Sequence, residues 1–268
     1  MNFSDYQRLI FERQPNGVLL ITINRPEKLN ATDAILSAEL TRVWLDVAGD
    51  DATRVAVITG AGTAFCAGGD IEMEVATVGD YKAKVHAMNE ARDLVLNMIN
   101  CDKPIISAIN GVAVGAGLAV ALIADISIIG EDVRFTDGHL RLGIAAGDHA
   151  TIIWPLLCGL AKAKYYLFTA DFIEGREAER IGLVSKAVAN ADVVTEALAV
   201  ADRLGTRSPL ALQWTKRSLN HWVRAAQPIF ESSLALEILN FFGDDAAEGF
   251  AAIVEKREPN YPSLVSET

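Results

Sequence analysis

Short apolar runs and longer helical periods alternate along most of this chain. Val18 to Ile23 and Val55 to Thr59 are β-rich runs, and the stretch from Asp33 to about Ala48 reads as a helix that Asp33 itself can cap. From about Tyr81 to Asn100 the apolar residues Val85, Met88, Leu94, Val95 and Met98 recur at helical spacing. Pro104 then opens the apolar run Ile105 to Ile109, which Gly111 ends. Gly115 to Ala124 reads as a buried helix and Ile126 to Ile129 as another strand. After Gly147 helix follows helix: about Thr151 to Phe168, Ala191 to Leu204, Ala211 to Arg224, Pro228 to Phe242 and Ala246 to Lys256. The pattern predicts an α/β fold with a mainly helical C-terminal third.

Composition narrows the class. With 268 residues, 51% apolar and 22% charged, the chain can bury a sizeable core as one large domain, alone or with an appendage. No fixed-period repeat, low-complexity tract or long linker interrupts it. Ile105 to Gly130 carries one charge, Asp125, but Asn110, Gly111, Gly115 and Gly117 divide it into pieces too short to span a bilayer. A net charge of −11 argues against nucleic acid as a main partner, while a phosphate-bearing ligand needs only a few local cations and N–H donors. Cys66, Cys101 and Cys158 lack metal or disulfide spacing and read as reduced thiols. The start, Met1 to Asp5, has no basic and then apolar signal, so a cytoplasmic location is expected. The Asn30-Ala31-Thr32 sequon carries little meaning in that setting.

Two glycine-rich turns have chemistry suited to anionic oxygen. The first runs from Gly60 to Ile71 after the strand Val55 to Thr59. Its Gly60-x-Gly62 start is a poor dinucleotide signal, because Phe65 stands where a third glycine belongs and no helix opens there. The second, Asn110 to Gly117, leads into the buried helix, so its N–H groups lie at a positive helix end. A thioester carbonyl becoming an enolate or tetrahedral oxyanion needs two preorganised donors, and each turn can supply one. Both can equally be plain strand-to-helix turns.

The chain resembles the enoyl-CoA hydratase/isomerase, or crotonase, family over nearly its whole length. Thr22 to Ala31 resembles the family's opening segment, Phe65 to Ile71 its first oxyanion turn, and Pro104 to Gly111 with Gly115-Ala116-Gly117 its second. Leu167 to Ala170, Gly182 to Val184, and the tail from Glu248-Gly249-Phe250 to Arg257 complete the match in order. The resemblance implies a spiral of ββα units over residues 1–200, a helical oligomerisation region over 201–268, and assembly as a homotrimer or a dimer of trimers. It implies an acyl-CoA substrate, with CoA as part of the thioester, and no metal or redox cofactor. The oxyanion donors would be the N–H groups of Gly69 and Ala116. Lys28, Asn30, Ala67, Gly68, Asp70, Ile71, Gly115 and Lys256 would form the substrate and CoA site, with Lys256 and less strongly Lys28 near the phosphates. Glu72 to Tyr81 resembles the family's most variable, pocket-forming loop.

One departure matters. Family hydratases place one glutamate on the helix after the second turn and another further along; the corresponding positions here hold Ala119 and His139. His139 can act as general base or acid, and Asp148 can orient it, attack or move protons. Asp148 can instead cap the helix near Thr151. His149 reads as a surface residue, and His86 and His221 have no partner motif. The histidine–aspartate spacing, with Glu237, also resembles cyclic β-diketone hydrolases of the 6-oxocamphor hydrolase type, although Glu237 can equally sit on a helix surface. Ala116 and the retained Gly68-Gly69 pattern depart from that type. The expectations are therefore an acyl-CoA enzyme of hydratase, isomerase or hydrolase type, a diketone hydrolase, or a catalytically silent acyl-CoA-binding homologue.

Overall fold

The computed structural model describes residues 3–264. Met1 and Asn2, part of the start read for an export signal, and residues 265–268, part of the expected helical region, lie outside the described residues. The strands are β1 (Leu9–Arg13), β2 (Val18–Ile23), β3 (Val55–Gly60), β4 (Ala64–Cys66), β5 (Ile105–Ile109), β6 (Val112–Val114), β7 (Ile126–Gly130), β8 (Arg134–Thr136), β9 (Ile173–Glu174) and β10 (Lys186–Val188). The α-helices are α1 (Ala34–Gly49), α2 (Ile71–Thr77), α3 (Tyr81–Asn100), α4 (Gly115–Ile123), α5 (Ala150–Cys158), α6 (Leu160–Thr169), α7 (Gly175–Arg180), α8 (Val193–Gly205), α9 (Pro209–Ala225), α10 (Gln227–Asn240) and α11 (Asp244–Glu255).

The long apolar runs form a six-stranded sheet of order β1-β2-β3-β5-β7-β10, and the short strands form a second sheet, β4-β6-β8-β9. β1 pairs antiparallel with β2, and β2, β3, β5, β7 and β10 run parallel. The pairs β3/β4, β5/β6 and β7/β8 each give one strand to each sheet before the chain turns into helix. This is the ββα spiral.

The large sheet is covered on both sides, which is why its strands read as unbroken apolar runs. Leu19, Ile21, Ile58, Ile105 and Ile109 pack on one side with α1, α3 and α4 residues such as Trp44, Val95 and Leu118. Val18, Val55, Val57, Ile106 and Ile128 pack on the other against Val193, Ala197 and Ala201 of α8. The junction expected at 200/201 thus falls inside α8, a helix seated on the core sheet.

Helix ends follow local chemistry. Asp33 accepts a bond from the Leu36 N–H at the start of α1, as read from the sequence. Two expectations change. The helix expected over Thr151 to Phe168 is broken into α5 and α6 at Gly159, whose φ of 79° is outside the helical region. The expected loop over Glu72 to Tyr81 contains most of α2, because Asp70 caps it through the Glu72 N–H. Among the described residues no helix is long and apolar enough to cross a membrane.

Candidate active site

The two glycine turns meet at one cavity of about 620 Å³, large enough for a ligand of drug size. Ala67, Gly68 and Gly69 line it from one turn, and Val114, Gly115 and Ala116 from the other. Thr32 fixes the first turn: its N–H donates to the Gly68 carbonyl at 2.7 Å and its carbonyl accepts from Asp70 N–H at 3.0 Å. Among the described residues no acceptor bonds the Gly69 N–H. Ala116 lies in the first turn of α4, where N–H groups have no partner within the helix.

Of the predicted binding residues, Ala67, Gly68, Ile71 and Gly115 line this cavity, and Lys28, Asn30, Asp70 and Lys256 do not. Asn30 is fully buried: its amide donates to the Ala61 and Ala64 carbonyls and accepts from Arg25 N–H. Asp70 caps α2 and pairs with Arg25 at 2.7 Å. Both hold the turn. Lys28 pairs with Glu72 at 3.0 Å on the surface, and Lys256 is exposed at the end of α11.

The same cavity is bordered by Asp137, His139, Asp148 and Glu237, which with His149 make a cluster of five titratable groups. A 3-10 turn over His139–Leu142 presents His139, whose Nδ1 meets Asp137 Oδ1 at 2.9 Å. Its Nε2 faces Asp148 Oδ2 at 3.9 Å and Glu237 Oε1 at 3.8 Å. Asp148 Oδ1 in turn meets His149 Nδ1 at 2.6 Å. Helix α10 closes the cluster: Glu237 Oε2 accepts from the Gly147 N–H at 2.9 Å, and Ser233 Oγ donates to the Gly147 carbonyl at 2.8 Å. Ala119 lines the cavity as well, so no carboxylate projects from that position of α4.

These contacts correct three readings. His149, expected at the surface, is 0% exposed. Asp148 does not cap α5; His149 is the N-cap residue, and no side chain caps that end. Glu237, for which a helix surface was one of two readings, is buried against His139. Asp137, the His139 partner, was not singled out. A signal for Glu237 exists in the sequence: Phe230, Leu234, Glu237, Ile238 and Phe241 form one buried helical stripe, and a carboxylate on an apolar stripe needs a partner.

The environment separates the groups by protonation. Burial works to lower the His139 pKa, but the charges of Asp137, Asp148 and Glu237 outweigh it and hold the imidazole well above its ordinary value. Burial pushes Glu237 up to about 8, aided by Asp148 and Asp137 and opposed by His139. Burial would raise Asp148 too, yet the imidazoles of His149 and His139 beside it hold it below the usual carboxylate range. The site thus favours the protonated form of His139 and the ionised form of Asp148, and Glu237 keeps its proton to higher pH than an ordinary carboxyl. His139, Asp148 and Glu237 each offer a donor atom within 4.8 Å of the others, as do Asp137, Asp148 and His149, so these residues could hold a cation. With His139 protonated, the first group already contains one.

The chain matches the enoyl-CoA hydratase/isomerase family over residues 13–263. It is 33% identical over 262 residues to a short-chain-enoyl-CoA hydratase of Clostridium acetobutylicum, covering 95% of this chain and 97% of that one. It is 34% identical over 251 residues to an (E)-benzylidenesuccinyl-CoA hydratase of Thauera aromatica, covering 92% and 96%. The crystal structure of an enoyl-CoA hydratase/isomerase from Mycobacterium paratuberculosis superposes with a TM-score of 0.86 at 33% identity, covering 91% of this chain and 97% of that one. With the ββα spiral and the paired glycine turns, these matches establish that the chain belongs to the enoyl-CoA hydratase/isomerase family.

Proposed function

We propose that this protein transforms an acyl-CoA thioester through an enolate or tetrahedral oxyanion received by the N–H groups of Gly69 and Ala116. One observation carries the reading: both glycine turns and the His139–Asp148–Glu237 cluster border the same cavity. Asp148, the ionised member, removes a proton from the substrate to give the enolate, and His139, as imidazolium, returns one to it. No glutamate pair stands where the family's hydratases hold theirs, so syn-hydration by two carboxylates is not the reaction we assign. Lys256, with Lys28 secondary, faces the CoA phosphates in this reading, and the working unit is a homotrimer or a dimer of trimers.

A second reading, hydrolysis of a cyclic β-diketone without CoA, gains from Glu237 lying 3.8 Å from His139. It needs a histidine that takes a proton from water, whereas the charges of Asp137 and Asp148 favour the protonated ring. The acyl-CoA reading is the better supported.

A screen across enoyl-, dienoyl- and β-ketoacyl-CoA esters, followed by His139→Ala on the best substrate, tests it. Turnover is expected to fall at least about a hundredfold, the lower range for loss of a general acid. Unchanged turnover sinks the assignment. Calorimetric binding of CoA that weakens in Lys256→Ala supports the thioester. No binding favours the diketone, and binding without any turnover favours a silent homologue.

A further inference from the structure

Asp148 has an imidazole at each of its oxygens, and only one of the two rings lines the cavity. His139 does so; His149 does not, and it is completely buried. We propose that His149 is a positioning residue: its Nδ1–H holds Oδ1 of Asp148, so that Oδ2 stays turned toward His139 and the substrate. The inference rests on the role given above to Asp148.

The backbone fixes this ring before the substrate arrives. The His149 carbonyl accepts from the Ile152 and Ile153 N–H groups at 3.2 and 3.1 Å, which ties the residue to the first turn of α5. An N-cap side chain ordinarily serves the free N–H groups of its own helix. The His149 ring bonds Asp148 instead, at 2.6 Å, and makes no capping bond. Its Nε2 is buried and has no hydrogen-bond partner among the described residues. Nδ1 faces a carboxylate oxygen at 2.6 Å, a contact that needs an N–H between the two atoms, so Nδ1 carries a proton. The preceding residue is clamped to α10 through Ser233 and Glu237, leaving the Asp148 carboxylate little freedom apart from its own torsions.

The consequence is chemical. A carboxylate that accepts a fixed N–H bond stays ionised and keeps one oxygen free for reaction. The other titratable groups facing Asp148 are His139 on its 3-10 turn, Asp137 just before that turn, and Glu237 on α10. Without the His149 donor, Asp148 is left among two further carboxylates with His139 alone to oppose them.

The test compares His149→Leu, which removes the donor, with His149→Asn, whose amide nitrogen can stand where Nδ1 stands. In His149→Leu, kcat is expected to fall about ten- to hundredfold, the range for a hydrogen bond to a charged group, with KM within about twofold. The Asp148 carboxyl midpoint, followed by carbon NMR without substrate, is expected to rise; His149→Asn should restore most of both. A carboxyl midpoint unmoved in folded His149→Leu, or His149→Asn no better than His149→Leu, overturns the proposal. Nitrogen NMR of the unaltered protein tests it without any variant: a His149 proton on Nε2 rather than Nδ1 overturns it. Asp148→Asn separates the two ideas. If that variant turns over normally, the role of Asp148 itself fails; if it is inactive while His149→Leu is fully active, only the positioning role fails.

Discussion

His139, Asp148 and Glu237 meet at one point yet hold their protons differently, and Glu237 makes the difference measurable. Its proton leaves near pH 8 in the folded chain and near 4.5 in an ordinary carboxyl. Between those values the folded state binds the extra proton, so this group's contribution to stability falls as pH rises from about 4.5 to 8. Glutamine carries no such dependence. Glu237→Gln is therefore expected to melt on the order of ten degrees above the unaltered protein at pH 7.5 and at about the same temperature at pH 4.5, given about 1.4 kcal/mol per pKa unit and about 2–4 °C per kcal/mol for a chain this size. Thermal scans at the two pH values check this, and an equal difference at both would show that Glu237 is not the titrating group. Turnover gives a second test: the alkaline fall expected near pH 8 should move or vanish in Glu237→Gln, since ionised Glu237 adds a negative charge beside His139 and Asp148. His139 and Asp148 were legible because they stand in a segment matched to a known family. Glu237 was met through a second resemblance, but the burial of Glu237 and His149 was not legible, because it depends on α10 folding over a loop some 90 positions earlier in the chain.

That loop and α10 are the element pair on which the site depends. Gly147 is the point of closest approach: a Cβ there would lie 2.2 Å from the Ser233 carbonyl oxygen and 2.7 Å from Glu237 Cβ. Neither obstacle is the flexible end of a side chain. Gly147→Ala must push the loop off α10, drawing Asp148 away from His139. A loss of about 1–3 kcal/mol in denaturant unfolding is expected, with turnover down at least tenfold. Full activity at lowered stability would mean that the cluster tolerates the shift. The same dependence on distant packing explains which elements the sequence made legible. β2, β3 and β5 stand out because a parallel strand covered on both faces must be apolar throughout. The ββα repetition does not, because its units differ in length: α2 and α3 follow β4, while the single short helix α4 follows β6. A repeat of architecture without a repeat of spacing leaves no period to find.

At the scale of the whole molecule, the apolar surface is unevenly placed. Trp44 and Trp154 are buried within the chain, whereas Trp214 and Trp222 of α9 are 63% and 72% exposed, beside exposed Leu210 and Leu219 on the same helix. Helices α5 and α6 likewise leave Leu156, Leu160 and Phe168 exposed. So many large apolar side chains on a chain with a net charge of −11 fit a face that another copy covers. Sedimentation equilibrium is expected to give three or six times the 28.8 kDa chain mass. Because each copy adds negative charge, assembly should tighten as salt screens the repulsion; a polar, charge-paired interface would loosen instead. The tryptophans provide the readout at residue level. The two buried ones stay shielded from acrylamide in any state, so a rise in quenching on dilution must come from Trp214 and Trp222. Trp222→Glu places a charge in that face and is expected to shift the mass toward the single chain. A mass unchanged by Trp222→Glu, with quenching independent of dilution, would place the contact between copies elsewhere than on α9.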